Sequence, residues 1–123
     1  ISSGGKLHPL ATGEINSNGM TKRSYLFRQT AKNTFSTTKI SLPDIVHGSL
    51  DVADFNKNGR HDIALTGRGH NNSLIAGIYL QQPDASFVKS QHSIPALSDG
   101  SIQFGDFDND GDVDLLICGA DAN

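Results

Sequence analysis

Asp106-Phe107-Asp108-Asn109-Asp110-Gly111-Asp112-Val113-Asp114, continued at once by Leu115-Leu116-Ile117-Cys118-Gly119, is the stretch whose reading decides the fold. Side-chain oxygens recur at alternate positions, and a glycine comes directly after the third of them. A hard cation such as calcium needs this pattern if one short backbone segment is to surround it with oxygen ligands. Asp106, Asp108, Asp110 and Asp114 are the candidate carboxylate ligands. Asp112 falls where such loops offer a backbone carbonyl, so its side chain is expected to face solvent. Gly111 permits the sharp bend. An EF-hand would place a bidentate Glu at the twelfth loop position and continue as a helix, but the twelfth residue here is Ile117. The loop instead leads into a short apolar run stopped by glycine, which predicts a buried strand. The unit is strand, calcium loop, strand.

The same unit occurs earlier. Residues from Gly48 to Gly67 align without a gap to those from Gly100 to Gly119, an offset of 52 residues. Asp54, Asn56, Asn58 and Asp62 then occupy the ligand positions of a first loop, with Arg60 at the backbone-carbonyl position of Asp112. The register extends outside the loop, where Phe35 matches Phe87 and Pro43 matches Pro95, so the chain contains an internal repeat. Ile1 to Gly13 runs in step with Phe107 to Gly119, but Ser2, Gly4 and His8 stand at its ligand positions, and this copy is expected to bind no metal. Asp, Asn and Gly also suit turns without metal. Their repetition at one register favours the metal reading.

These residues resemble the FG-GAP or VCBS repeats of integrin-type β-propellers. The likeness rests on Asp-x-Asp-x-Asp-Gly-x-x-Asp with an apolar strand and Gly behind it, repeated at about blade length. It covers nearly the whole chain. The motif is specific in the second loop, weaker in the first, where Asn56 and Asn58 replace acids, and lost at the N-terminus. The resemblance implies an all-β fold of four-stranded antiparallel blades, with loops presented for protein or glycan recognition at the cell surface.

The strand pattern is read accordingly. Strands are expected over Lys6 to Gly13 (with Pro9 marking an edge or irregular position), Thr21 to Gln29, Asn33 to Ser41, Gly48 to Ala53, Ile63 to Thr66, Leu74 to Gln81 and Ser86 to Ser93, and again from Gly100. Glu14 to Met20 and Gly67-Arg68-Gly69 read as turns. In the strand from Gly48, Leu50 and Val52 form a buried face, and Ser49, Asp51 and Ala53 a more polar one. Residues 1–47 thus form a partial repeat without its first strand and metal loop, 48–99 a complete repeat with the weaker calcium loop, and 100–123 a partial repeat with the strong one. One complete blade is flanked by two partial ones. Propellers close with about four to eight blades, so the chain is either a piece of a longer protein or a subunit completed by further copies. Its partners are expected to be other propeller repeats of the same or another chain, and the isolated segment is expected to be oligomeric.

Composition narrows the function classes. Ten basic residues are spread thinly among thirteen acidic ones, without the basic patch of a nucleic-acid binder. No apolar run reaches the length of a membrane span, and Ile1 is not expected to open a charged-then-apolar signal sequence. His8, His47, His61, His70 and His92 are scattered, as surface residues are, and not clustered as in a zinc site. No nucleophile elbow or phosphate-cradling loop is present, so no catalysis is expected. Asn71-Asn72-Ser73 is a formal glycosylation acceptor. Cys118, the single cysteine, aligns with Thr66 and is expected to be a small buried side chain. The chain reads as a calcium-stabilised extracellular binding or adhesion module. The alternatives are a structural subunit assembling into an extracellular filament or coat, and an accessory domain of a secreted enzyme.

Overall fold

Among the described residues, regular backbone hydrogen bonding takes almost entirely the form of antiparallel strands. In a computed structural model that describes residues 2–3, 6–7, 10–16 and 20–122, the chain is all-β apart from one 3-10 turn, His70–Asn72. The strands are β1 (Ser2–Ser3), β2 (Lys6–Leu7), β3 (Leu10–Asn16), β4 (Met20–Ala31), β5 (Thr34–Lys39), β6 (Val46–Ala53), β7 (Asp62–Arg68), β8 (Leu74–Gln81), β9 (Phe87–Lys89), β10 (Ser98–Gly105) and β11 (Asp114–Ala120). They form the sheets β1-β2, β3-β4-β5, β6-β7-β8-β9 and β10-β11, each pairing antiparallel.

The strand β7 lies at the centre because its sequence is apolar on both faces. Ile63 and Leu65 pack with Leu42, Ile45, Tyr79 and Phe87, and Leu50 and Val52 of β6 join them. Ala64 points the other way, with Ile78, against Ile102 and Phe104 of β10, and Leu115 and Ile117 of β11 join that cluster. The four-stranded sheet is thus covered on both faces. Full burial of each Ile or Leu side chain stabilises the fold by about 1.5–3 kcal/mol, so the two clusters fasten the sheets together.

The polar face expected on β6 is not a solvent face. Ser49 Oγ accepts the Ile102 N–H at 3.3 Å, and Asp51 Oδ2 accepts the Phe104 N–H at 2.7 Å. Both partners advance together along their strands, so β6 and β10 lie side by side and parallel. Buried Thr66 holds the segment entering β10, donating from Oγ1 to the Leu97 carbonyl at 2.7 Å and accepting the Leu97 N–H at 2.8 Å. An equivalent tie joins the first sheet to its exit: Ser24 donates its N–H to Asp44 Oδ1 at 2.7 Å and its hydroxyl to the Pro43 carbonyl at 2.9 Å.

The repeat in sequence is also a repeat in backbone. The pairing of β6 with β7 shifts register between Val46 and Ser49, and that of β10 with β11 between Ser98 and Ser101. His47 and Asp99, at matching positions in the two bulges, both take positive φ, 47° and 54°. Beside each bulge a strand crosses too closely for a side chain. A Cβ on Gly48 would strike the Thr66 carbonyl oxygen, and one on Gly100 the Cys118 carbonyl oxygen.

Several expectations change. Glu14 to Asn16 and Met20 belong to strands, paired Asn16 with Met20, because the β3-β4 hairpin is longer than its composition suggests. Gly67 and Arg68 continue β7, paired with Ile75 and Leu74. Cys118 is exposed, not buried, and Leu116 is 56% exposed. The strand β11 pairs with β10 alone among the described residues and packs through one face only. The expectations for Gly4, His8 and Pro9 lie outside the described residues.

Candidate metal centre

The two Asp-rich loops connect β6 to β7 and β10 to β11, and the same hydrogen bonds build both. Asp54 accepts the N–H groups of Asn58 (2.9 Å) and Gly59 (2.8 Å), and Asp106 accepts those of Asp110 (3.0 Å) and Gly111 (2.9 Å). Asn58 Oδ1 takes the Arg60 N–H at 2.9 Å, and Asp110 Oδ1 takes the Asp112 N–H at 2.8 Å. The last acid closes each loop on its own start, Asp62 Oδ2 accepting the Phe55 N–H at 3.1 Å and Asp114 Oδ2 the Phe107 N–H at 2.9 Å. Lys57 and Gly59 in the first loop, and Asn109 and Gly111 in the second, take positive φ at matching positions. Short polar side chains that capture nearby N–H groups thus set the turn, as expected for Asp and Asn. A glycine makes the left-handed step without penalty.

In the second loop this wiring gathers charge. Carboxylate oxygens of Asp106, Asp108 and Asp114 lie within 4.8 Å of one another. Asp108 Oδ1 also accepts the Asp110 N–H at 3.1 Å. Oxygens around a calcium ion stand 2.3–2.6 Å from it, so any two are at most about 5 Å apart. The spacing and the all-oxygen donor set therefore fit a hard cation. Asp110 stands outside this trio, its Oδ1 engaged by Asp112 N–H. The Asp112 side chain is 76% exposed and pairs with Lys57 of the other loop, Nζ to Oδ1 at 2.6 Å. This contact holds the Lys57 ammonium above its ordinary pKa and the Asp112 carboxyl below its own.

The first loop has only two acids, Asp54 and Asp62, with Asn56 and Asn58 supplying amides. Asp62 is fully buried and more heavily engaged than Asp114. Besides Phe55 it accepts the Asn56 N–H at 3.4 Å, and its Oδ1 reaches the Gln81 N–H of β8 at 2.9 Å. Arg60 turns away from the loop, its Nε donating to the Gln81 carbonyl at 2.9 Å. Sequence reasoning missed Lys57 and Gln81. The only local signal for Lys57 is a cation where the second loop has Asn109, and Gln81 carries none.

Between the loops lies an open cleft of about 350 Å³ lined by Phe55, Asn56, Lys57, Asp112 and Val113. Phe55 is wedged there, its ring 5.2 Å from that of His92 and 5.9 Å from that of Phe104. Of the other histidines, His47 Nδ1 lies 3.3 Å from Asp99 Oδ1, joining the two bulges. Among the described residues the metal-competent cluster contains no histidine and no cysteine. No helix there is long and apolar enough to cross a membrane.

A family model described as an FG-GAP-like repeat matches residues 54–117, more than half of the chain, from the first acid of the first loop to the strand behind the second. No curated protein and no solved structure matches the chain.

Proposed function

The chain belongs to the FG-GAP-like repeat family, and from that premise we propose that it is a segment of a calcium-stabilised β-propeller serving as an extracellular binding or adhesion module. The reading rests on one observation above all. The same loop is built twice at an offset of 52 residues, and in the second copy three carboxylates converge. Asp106, Asp108 and Asp114, with Asp110 and the Asp112 carbonyl, would hold the ion, and Asp54, Asn56, Asn58, Asp62 and the Arg60 carbonyl would hold a weaker one. Calcium there supplies a hard positive charge that relieves the repulsion among the clustered carboxylates. The protein's own part is to close each loop onto its strand through Asp62 or Asp114. Catalysis forms no part of the proposal.

The blade arrangement is proposed on the packing of the sheets. The four-stranded sheet β6-β9 is the unit a propeller repeats radially, and its first strand lies parallel to the first strand of the next sheet. Residues 48–99 would be the complete blade, with 1–47 and 100–123 partial ones. Protein or glycan ligands would be met by loops, and other repeats by sheet faces.

A second reading, a subunit that assembles with further copies, draws on the outer face of β10-β11. Leu116 and Cys118 are exposed there, and Ser101 and Gln103 stand where Ser49 and Asp51 hold the N–H groups of β10. An uncovered apolar face favours association. Calorimetric titration of calcium into the chelator-treated chain tests the first reading. Asp108→Ala is expected to abolish the tighter site and Asn56→Ala to spare it. Loss of the tighter site in Asn56→Ala, or no calcium binding at all, would overturn it. Light scattering of the calcium-loaded chain tests the second, which a monodisperse monomer would exclude.

A further inference from the structure

Lys57 of the first loop forms an ion pair with the second. Its backbone is held in a left-handed conformation, φ 57°, with its N–H directed to the Asp54 carbonyl at 3.4 Å. From there the side chain crosses between repeats to Asp112 Oδ1 at 2.6 Å. The pairing does not derive from the repeat. At the register of Lys57 the second loop has Asn109, and at the register of Asp112 the first loop has Arg60, which is spent on the Gln81 carbonyl. The two side chains are 57% and 76% exposed, and an ion pair so exposed contributes little to stability. A role in holding the fold therefore does not account for it.

We propose that Lys57 sets the cation affinity of the loop in the next repeat, by keeping a fixed positive charge against Asp112 at the rim of the Asp106, Asp108 and Asp114 cluster. The inference rests on the reading of that cluster as a calcium site. A positive charge within a screening length of the site opposes a divalent ion, and the opposition doubles with the ion's charge. Asp112 marks the point of contact. Its side chain does not line the cluster, so Lys57 acts through the field without occupying the site.

The test is calcium titration of the chelator-treated whole chain and of Lys57→Gln and Lys57→Glu, in about 0.01 M and about 1 M salt, where the screening length falls from about 30 Å to about 3 Å. At low salt Lys57→Gln is expected to bind calcium about three- to tenfold more tightly at the stronger site, and Lys57→Glu more tightly still. At high salt the three proteins are expected to converge. A merely structural contact predicts the opposite sign, because losing it would loosen the loop and weaken binding. Unchanged or weakened binding in Lys57→Gln, with the parent chain titrating normally, would overturn this inference alone. No calcium binding by the parent chain would overturn the reading of the site and this inference with it. In chelator and about 1 M salt, where the charges are screened, melting curves are expected to coincide for all three, and a lowered curve for Lys57→Gln there would assign Lys57 to the fold instead.

Discussion

Replacing Asp62 tests the loop wiring apart from any metal. Its carboxylate is fully buried and accepts three main-chain N–H groups, from Gln81 at 2.9 Å, Phe55 at 3.1 Å and Asn56 at 3.4 Å. Asp62→Ala strands these donors. Asn56 is exposed, and water can reach its N–H, so two donors carry the cost. At about 1–3 kcal/mol for each unsatisfied group, the loss is about 2–6 kcal/mol. Asp62→Asn keeps one oxygen but turns an amide N–H toward a backbone N–H, so it is expected to cost about half as much. The assay is urea unfolding in chelator, which removes any metal contribution from the comparison. With a denaturant slope near 2 kcal/mol per molar, a loss of about 2 kcal/mol lowers the midpoint by about 1 M. Asp114→Asn is the internal control, since Asp114 is only half-buried and closes its loop through one N–H. It is expected to cost less. If Asp62→Asn unfolds within about 0.5 kcal/mol of the parent, or Asp114→Asn costs as much as Asp62→Asn, the reasoning from buried acceptors is wrong.

Chelation is expected to lower the melting temperature and excess calcium to raise it by mass action, with magnesium a poor substitute because it demands tighter octahedral geometry; superimposed melts of calcium-containing and chelated material would refute this. Gly59→Ala meets open space but keeps φ 82°, so its cost is expected to be the left-handed strain alone, about 1–2 kcal/mol. Gly48→Ala drives a Cβ into the Thr66 carbonyl and to within 2.9 Å of the Gly67 Cα, and thermal denaturation is expected to rank it well below Gly59→Ala. Burial raises the Tyr79 pKa above the ordinary value of 10.0. Its share of stability is therefore intact below about pH 10 and declines as pH rises through the folded-state value. Tyr79→Phe is expected to flatten the alkaline limb of a stability-against-pH curve, and an unaltered limb would show that Tyr79 does not contribute to it.

The amino-acid sequence alone determined most of the strands, though not the length of the β3-β4 hairpin or the end of β7, together with the loop turns and their repetition, because each is written in neighbouring residues. Alternating apolar residues make β6, unbroken apolar runs make β7 and β8, and Asp-x-Asn-x-Asn-Gly or Asp-x-Asp-x-Asp-Gly makes a turn whose side chains capture N–H groups two to five residues on. Burial was decided elsewhere. Thr66 and Cys118 share a register, yet one is 1% exposed and the other open to solvent, because the next sheet covers the first and nothing among the described residues covers the second. Ser49 and Asp51 read as the more polar face of their strand and proved to be acceptors for a strand 53 residues further on. The reach of Lys57 to Asp112 spans 55 residues, and that of Asp62 to Gln81 spans 19. Such partners are set by how the sheets stack. Local periodicity states which side of a strand a residue faces, and only the tertiary structure supplies what meets it there.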